Sequence, residues 1–210
     1  MNPSSSDPLP DRLPDAVPAA QAGGPLGARM MRLVERFSPL DALARPIGAV
    51  SAVTELPWVR GPLRGAPLGH AAHPWLTDVP IGLWSSSLLL DVLARPEDRP
   101  ASRRLLAAGL VSAIPTALTG LAEWRGTSRP ESRVASAHAG LNVAAIGLYA
   151  VSLAMRGRSH RSAVWLSFGA TSVATGAGLL GGHLATARKV GSRDPSFSVD
   201  GVGPVLSRGG

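Results

Sequence analysis

Five histidines and no cysteine bound the chemistry open to this 210-residue chain. His70 and His73 open the stretch GHAAHPWLTDVPIGLW, with Asp78 close behind them. His138 lies in SAHAGLN beside Asn142, and His183 in GGHLA. Imidazole is the commonest metal ligand among side chains. Two imidazoles on facing helices can hold a haem iron axially. Histidines combined with carboxylates suit zinc or non-haem iron. The lack of cysteine excludes disulfides, cysteine-ligated zinc, iron–sulfur clusters and CxxCH haem attachment within these residues.

Whether the histidines meet depends on the elements that carry them. Four apolar segments cover 75–94, 104–124, 134–155 and 163–187. Each is near the ~20 residues that cross a hydrocarbon core as a helix. Short arginine-bearing loops separate them: RPEDRPASR, RGTSRPESR and RGRSHR. Charged residues make up 17% of the chain, against roughly 25% in ordinary globular domains. The net charge of +7 comes almost wholly from arginine. Those arginines punctuate apolar runs, and no aromatic–basic interleaving suggests base stacking. The expected surroundings are therefore a lipid bilayer, and nucleic acid is not an expected partner.

The expected fold is all-α, a four-transmembrane-helix antiparallel bundle. Residues 1–27, rich in Pro, Ser, Ala and Asp, read as a disordered tail. Residues 28–65 read as an amphipathic region that lies in the membrane interface or packs on the bundle's end. Within it Met31, Leu33, Val34 and Phe37 share helical spacing, and Pro46 is expected to break or kink the helix. Residues 66–190 form the membrane domain, and 191–210 a flexible C-terminal tail. Small residues at every fourth position, Ala108, Ser112, Thr116 and Gly120, then Ala170, Ala174, Gly178 and Gly182, predict close helix packing. Pro80 and Pro115 each free a carbonyl that a neighbouring Ser or Thr can take. Trp75, Trp84, Trp124 and Trp165 read as interfacial anchors.

In such a bundle the first and third helices begin on the face where the second and fourth end. His70, His73, His138 and His183 then fall in one leaflet, with Asp78, Glu123 and Asn142 as partners that orient the rings. His138 and His183, deeper in their segments, are the first candidates for axial ligands, with His70 or His73 as substitutes. Asp78 can alternatively serve the helix dipole, and Glu123 can pair with Arg125. His160, in the loop SHRS, reads as solvated, and Asp91 as the partner of a loop arginine.

GHAAHPWLTDVPIGLW, the HAGLN around His138 and the GGHL around His183 resemble the membrane proteins of the domain of unknown function 2231 family. The resemblance covers about residues 60–190. It implies a four-helix membrane domain. Some relatives are joined to a Rieske iron–sulfur domain, which points toward electron transfer. Ala71 stands where the family usually has proline, and Asp78 where many members have a further histidine. With no cysteine here, any redox partner is a separate protein.

Three functional readings stand at this level. The first is a haem b or metal protein of membrane electron transfer. The second is a membrane enzyme using zinc or iron, with Asp78 or Glu123 as base. The third is a non-catalytic subunit or scaffold whose polar cluster locks the bundle. A homo-oligomer is compatible with all three. The N-terminus lacks the basic and apolar regions of a secretory signal. Arginine and lysine divide almost evenly between the two faces. The expected location is the cytoplasmic (inner) membrane, both termini on one side and provisionally inside.

Overall fold

The computed structural model describes residues 24–93 and 95–193. Most of the expected N-terminal tail and nearly all of the expected C-terminal tail lie outside these residues. The described chain is helical. A short arm, α1 (Leu26–Arg36), α2 (Asp41–Ser51) and α3 (Pro57–Leu63), leads into the bundle. The bundle contains α4 (His73–Leu76), α5 (Asp78–Leu93), α6 (Arg99–Glu123), α7 (Arg129–Met155) and α8 (His160–Gly182). A π-helical turn, His183–Ala187, closes α8.

Four stretches are long and apolar enough to cross a bilayer: His73–Leu93, Pro96–Gly126, Arg129–Met155 and His160–Ala187. The helices extend beyond the apolar segments because their ends are arginine-rich. Arginine stems can cover apolar surface while the guanidinium reaches water. Ser128 starts α7 as a capping box, its N–H donating to Glu131 Oε2 at 2.7 Å. Pro80 leaves the Leu76 carbonyl without its helical donor. The Thr116 hydroxyl of α6 donates to it at 3.3 Å, as expected for a proline in a membrane helix.

The bundle is two hairpins, α5–α6 and α7–α8, packed together. Their contact holds Trp84, Leu106, Ala113, Tyr149 and Ala170. Trp84 is 6% exposed and stacks on Tyr149, centroids 4.4 Å apart. This corrects its expected role as an interfacial anchor; Trp75 and Trp165 are exposed as anchors should be. The small-residue ridges also shift. Gly109, Ala113 and Thr116 are buried on α6, whereas Ala108 is exposed. On α8 Ala163, Ser167, Ala170 and Ala177 are buried, and Gly178 and Gly182 are exposed. At 3.6 residues per turn, every fourth residue drifts around the helix.

The arm docks through one side of α1. Met31 and Val34 pack against Val134, Leu180 and Leu184. Its other side, with Leu26, Met30, Leu33 and Phe37, is exposed. Pro46 lies inside α2 without ending it; the break falls earlier, at 37–40. Asp41 accepts a forked pair of bonds from Arg133, at 2.7 and 2.9 Å, and one from Arg129 at 3.1 Å. Glu35 accepts from Arg188 and lies 2.8 Å from His183 Nε2.

These contacts make docking of the arm acid-sensitive. Burial alone would raise Glu35, but bonds from Arg188 and His183 outweigh it and hold the carboxyl below its ordinary 4.5. The Arg133 guanidinium, with Arg129, holds Asp41 well below its ordinary 3.8. Both folded values are depressed. Their stabilisation is therefore complete above the ordinary values and is lost as pH falls through the depressed ones. Pepsin should cut the 26–56 segment readily only in that acid window. Unchanged protection down to pH 2 would contradict this account.

Candidate functional site

His73 begins α4, and His138 lies two to three turns into α7. Folding brings them together: their ring centroids are 6.2 Å apart and their planes nearly perpendicular, at 88°. Each ring is anchored to the other helix of its own hairpin. His73 Nδ1–H donates to the Thr116 carbonyl of α6 at 2.9 Å. His138 Nδ1–H donates to the Ala177 carbonyl of α8 at 2.8 Å. A carbonyl can only accept, so Nδ1 carries the proton in both neutral rings. That leaves Nε2 as the lone-pair nitrogen of each.

Glycines make room for both rings. A Cβ at Gly120 would stand 2.7 Å from His73 Cε1, and one at Gly181 would stand 2.8 Å from His138 Cε1. The rings therefore bring their Cε1 edges against α6 and α8 at positions where no side chain intervenes.

The two Nε2 atoms differ in their partners. Asn142, one turn after His138, donates Nδ2–H to His138 Nε2 at 3.0 Å and to the His138 carbonyl at 3.0 Å. The residue one turn after His73 is Thr77, whose hydroxyl turns back to the Pro74 carbonyl. Among the described residues nothing is bonded to His73 Nε2.

The other two histidines of the expected cluster stand elsewhere. His70 lies three residues before His73 but outside the helix, in a β-bridge to Arg193. Gly65 and Gly69, both with φ near +75°, bracket the turn that delivers it. His70 and His73 consequently do not share a helical face. His183, the first residue of the π-turn, points to Glu35 of the arm. The helix order predicted a His138–His183 pair, but the partner of His138 is His73.

The expected orienting residues also separate. Asn142 is on the pair. Asp78 is exposed in the first turn of α5, where the helix dipole favours it. Glu123 Oε2 accepts from the Ser192 N–H and hydroxyl, both at 2.9 Å, and not from Arg125. Among the described residues no three His, Asp or Glu side chains converge where one ion could sit. A three-ligand zinc or iron site, with Asp78 or Glu123 as base, does not fit this donor set.

At the far end of the hairpins lies a buried polar cluster drawn from all four long helices and their caps. Arg156 grips Asp91 through both its terminal nitrogens, at 2.5 and 2.9 Å. The two side chains are 3% and 0% exposed. Ser102 donates to Asp91 at 2.6 Å and accepts from Arg156 at 2.7 Å. His160 Nε2 lies 3.8 Å from Asp91. The expected pairing of Asp91 with a loop arginine is present. His160 is not a free loop residue, because α8 starts at it and turns its ring inward.

A four-span helical bundle closed around a histidine pair and a buried ion pair defines an integral membrane protein. The chain belongs to the predicted membrane proteins of the DUF2231 family, whose model matches residues 69–194. No curated protein and no solved structure matches the chain.

Proposed function

We propose that this membrane protein carries electrons within the bilayer, with His73 and His138 as the residues that would hold a b-type haem. The observation that carries the reading is the pair itself. Each ring donates Nδ1–H to a main-chain carbonyl and so keeps the lone pair on Nε2, as metal-ligating imidazoles do. Their ring centroids, 6.2 Å apart, bring the two imidazoles within reach of a single bound group. The haem would supply one-electron chemistry. The Thr116 and Ala177 carbonyls would orient the rings, and Gly120 and Gly181 would give them clearance. Asn142 would have to release His138 Nε2. The electron partner would be a separate redox protein, and the location the cytoplasmic membrane with both termini inside.

A second reading rests on Asn142. Its amide satisfies His138 Nε2, so the two rings can serve only as hydrogen-bonded locks, each within its own hairpin. One set of spectra separates the two. Protein purified in mild detergent from haem-supplemented cells should show Soret and α-bands in a reduced-minus-oxidised spectrum. H73A and H138A should each abolish them, whereas N142A, which removes the competing donor, should raise haem occupancy. A wild-type protein without these bands defeats the haem reading. In that case all three variants should lower thermal stability only.

A further inference from the structure

We infer that the membrane domain is one helical hairpin used twice. The face on which the copies meet is a self-complementary surface whose charges admit only unlike hairpins. This inference stands independently of the haem reading.

The register is carried by contacts. Asp91 and Arg156 are 65 residues apart. The same offset relates His73 to His138, Trp84 to Tyr149 and Ser87 to Ser152. It also aligns Ile81-Gly82-Leu83 with Ile146-Gly147-Leu148. The returning helices match as well, after a loop four residues shorter in the second hairpin. His73 reaches a carbonyl 43 residues ahead, and His138 one 39 ahead. Ser87 Oγ donates to a carbonyl 15 residues ahead, and Ser152 Oγ to one 11 ahead. Gly120 under His73 corresponds to Gly181 under His138. The same bonds thus recur between corresponding residues of the two hairpins.

Corresponding residues also meet each other. His73 faces His138, Trp84 stacks on Tyr149, and Asp91 pairs with Arg156. Three such self-contacts spaced along α5 and α7 define a pseudo-two-fold axis between the hairpins. In an isologous interface a residue on the two-fold axis meets its own copy. Two first hairpins would place Asp91 against Asp91, and two second hairpins Arg156 against Arg156, both buried. Like charges without a partner are strongly unfavourable there. The Asp–Arg difference therefore codes for the unlike pair.

Exchange across the axis in the full chain tests the equivalence. D91R and R156D alone should each lower the yield of folded, monodisperse protein in detergent by tenfold or more. D91R/R156D, which restores the pair with its members traded, should recover to within threefold of wild type. W84Y/Y149W/G109A/A170G, which trades the aromatic pair together with the residues that face it, should keep the wild-type yield. A charge exchange no better than its single variants overturns the inference, as does a tenfold loss in the uncharged exchange.

Discussion

Asp91→Ala should cost about 3–5 kcal/mol of bundle stability, because it leaves the Arg156 guanidinium buried without its counter-ion. Asp91 has no exposed side-chain surface, and Arg156 almost none. Arg156 Nε is already without a partner among the described residues, and once the carboxylate is gone the group keeps only the neutral Ser102 and Ser87 hydroxyls. The sign should reverse when both charges are removed. Asp91→Leu with Arg156→Met replaces two desolvated ions by apolar side chains, a change that is often neutral or stabilising. Chemical or thermal unfolding in detergent, followed by far-ultraviolet circular dichroism, reads both. A single variant within 1 kcal/mol of wild type would show the pair to be hydrated and weak.

Gly109→Ala should cost about 1–3 kcal/mol, the usual range for overpacking. In an open helix the same change gains roughly 1 kcal/mol, so the sign is diagnostic. A methyl group at 109 would collide with the edge of the Trp84 indole. That ring has no room to retreat, since it stacks on Tyr149. Gly147→Ala provides the control: a Cβ there meets nothing within 4 Å. Melting temperatures of the two variants should move in opposite directions. Because Trp84 is buried, its fluorescence should shift only in Gly109→Ala.

The spans were legible because bilayer crossing leaves a coarse mark: about 20 apolar residues bounded by arginine. Helix order then placed His73 and His138 at one end of the bundle. What order does not carry is rotation about each helix axis. Asp78 lies close to His73 in sequence yet is exposed. His183 occupies a π-turn, which re-aims its side chain toward the arm. Trp84 is buried because it faces Gly109 and stacks on Tyr149, partners distant in sequence that no local pattern announces. Glu35 lay outside the apolar segments, so its claim on His183 was invisible there. One signal was present and easily passed over: IGLW and IGLY, set at equal distances after His73 and His138. Read as a repeat, it pairs those two histidines in place of His138 and His183.

The Trp84–Tyr149 stack also divides the interior of the bundle. The histidine pair lies on one side of it and the Asp91–Arg156 pair on the other, separated along the His73–Leu93 span by roughly 27 Å at 1.5 Å per residue. Two aromatic rings 4.4 Å apart leave no space for a water between them, and Trp84 presses on the α6 backbone at Gly109. Between α5 and α7 the stack is therefore an aromatic partition, with an uncharged histidine end on one side and a charged end on the other.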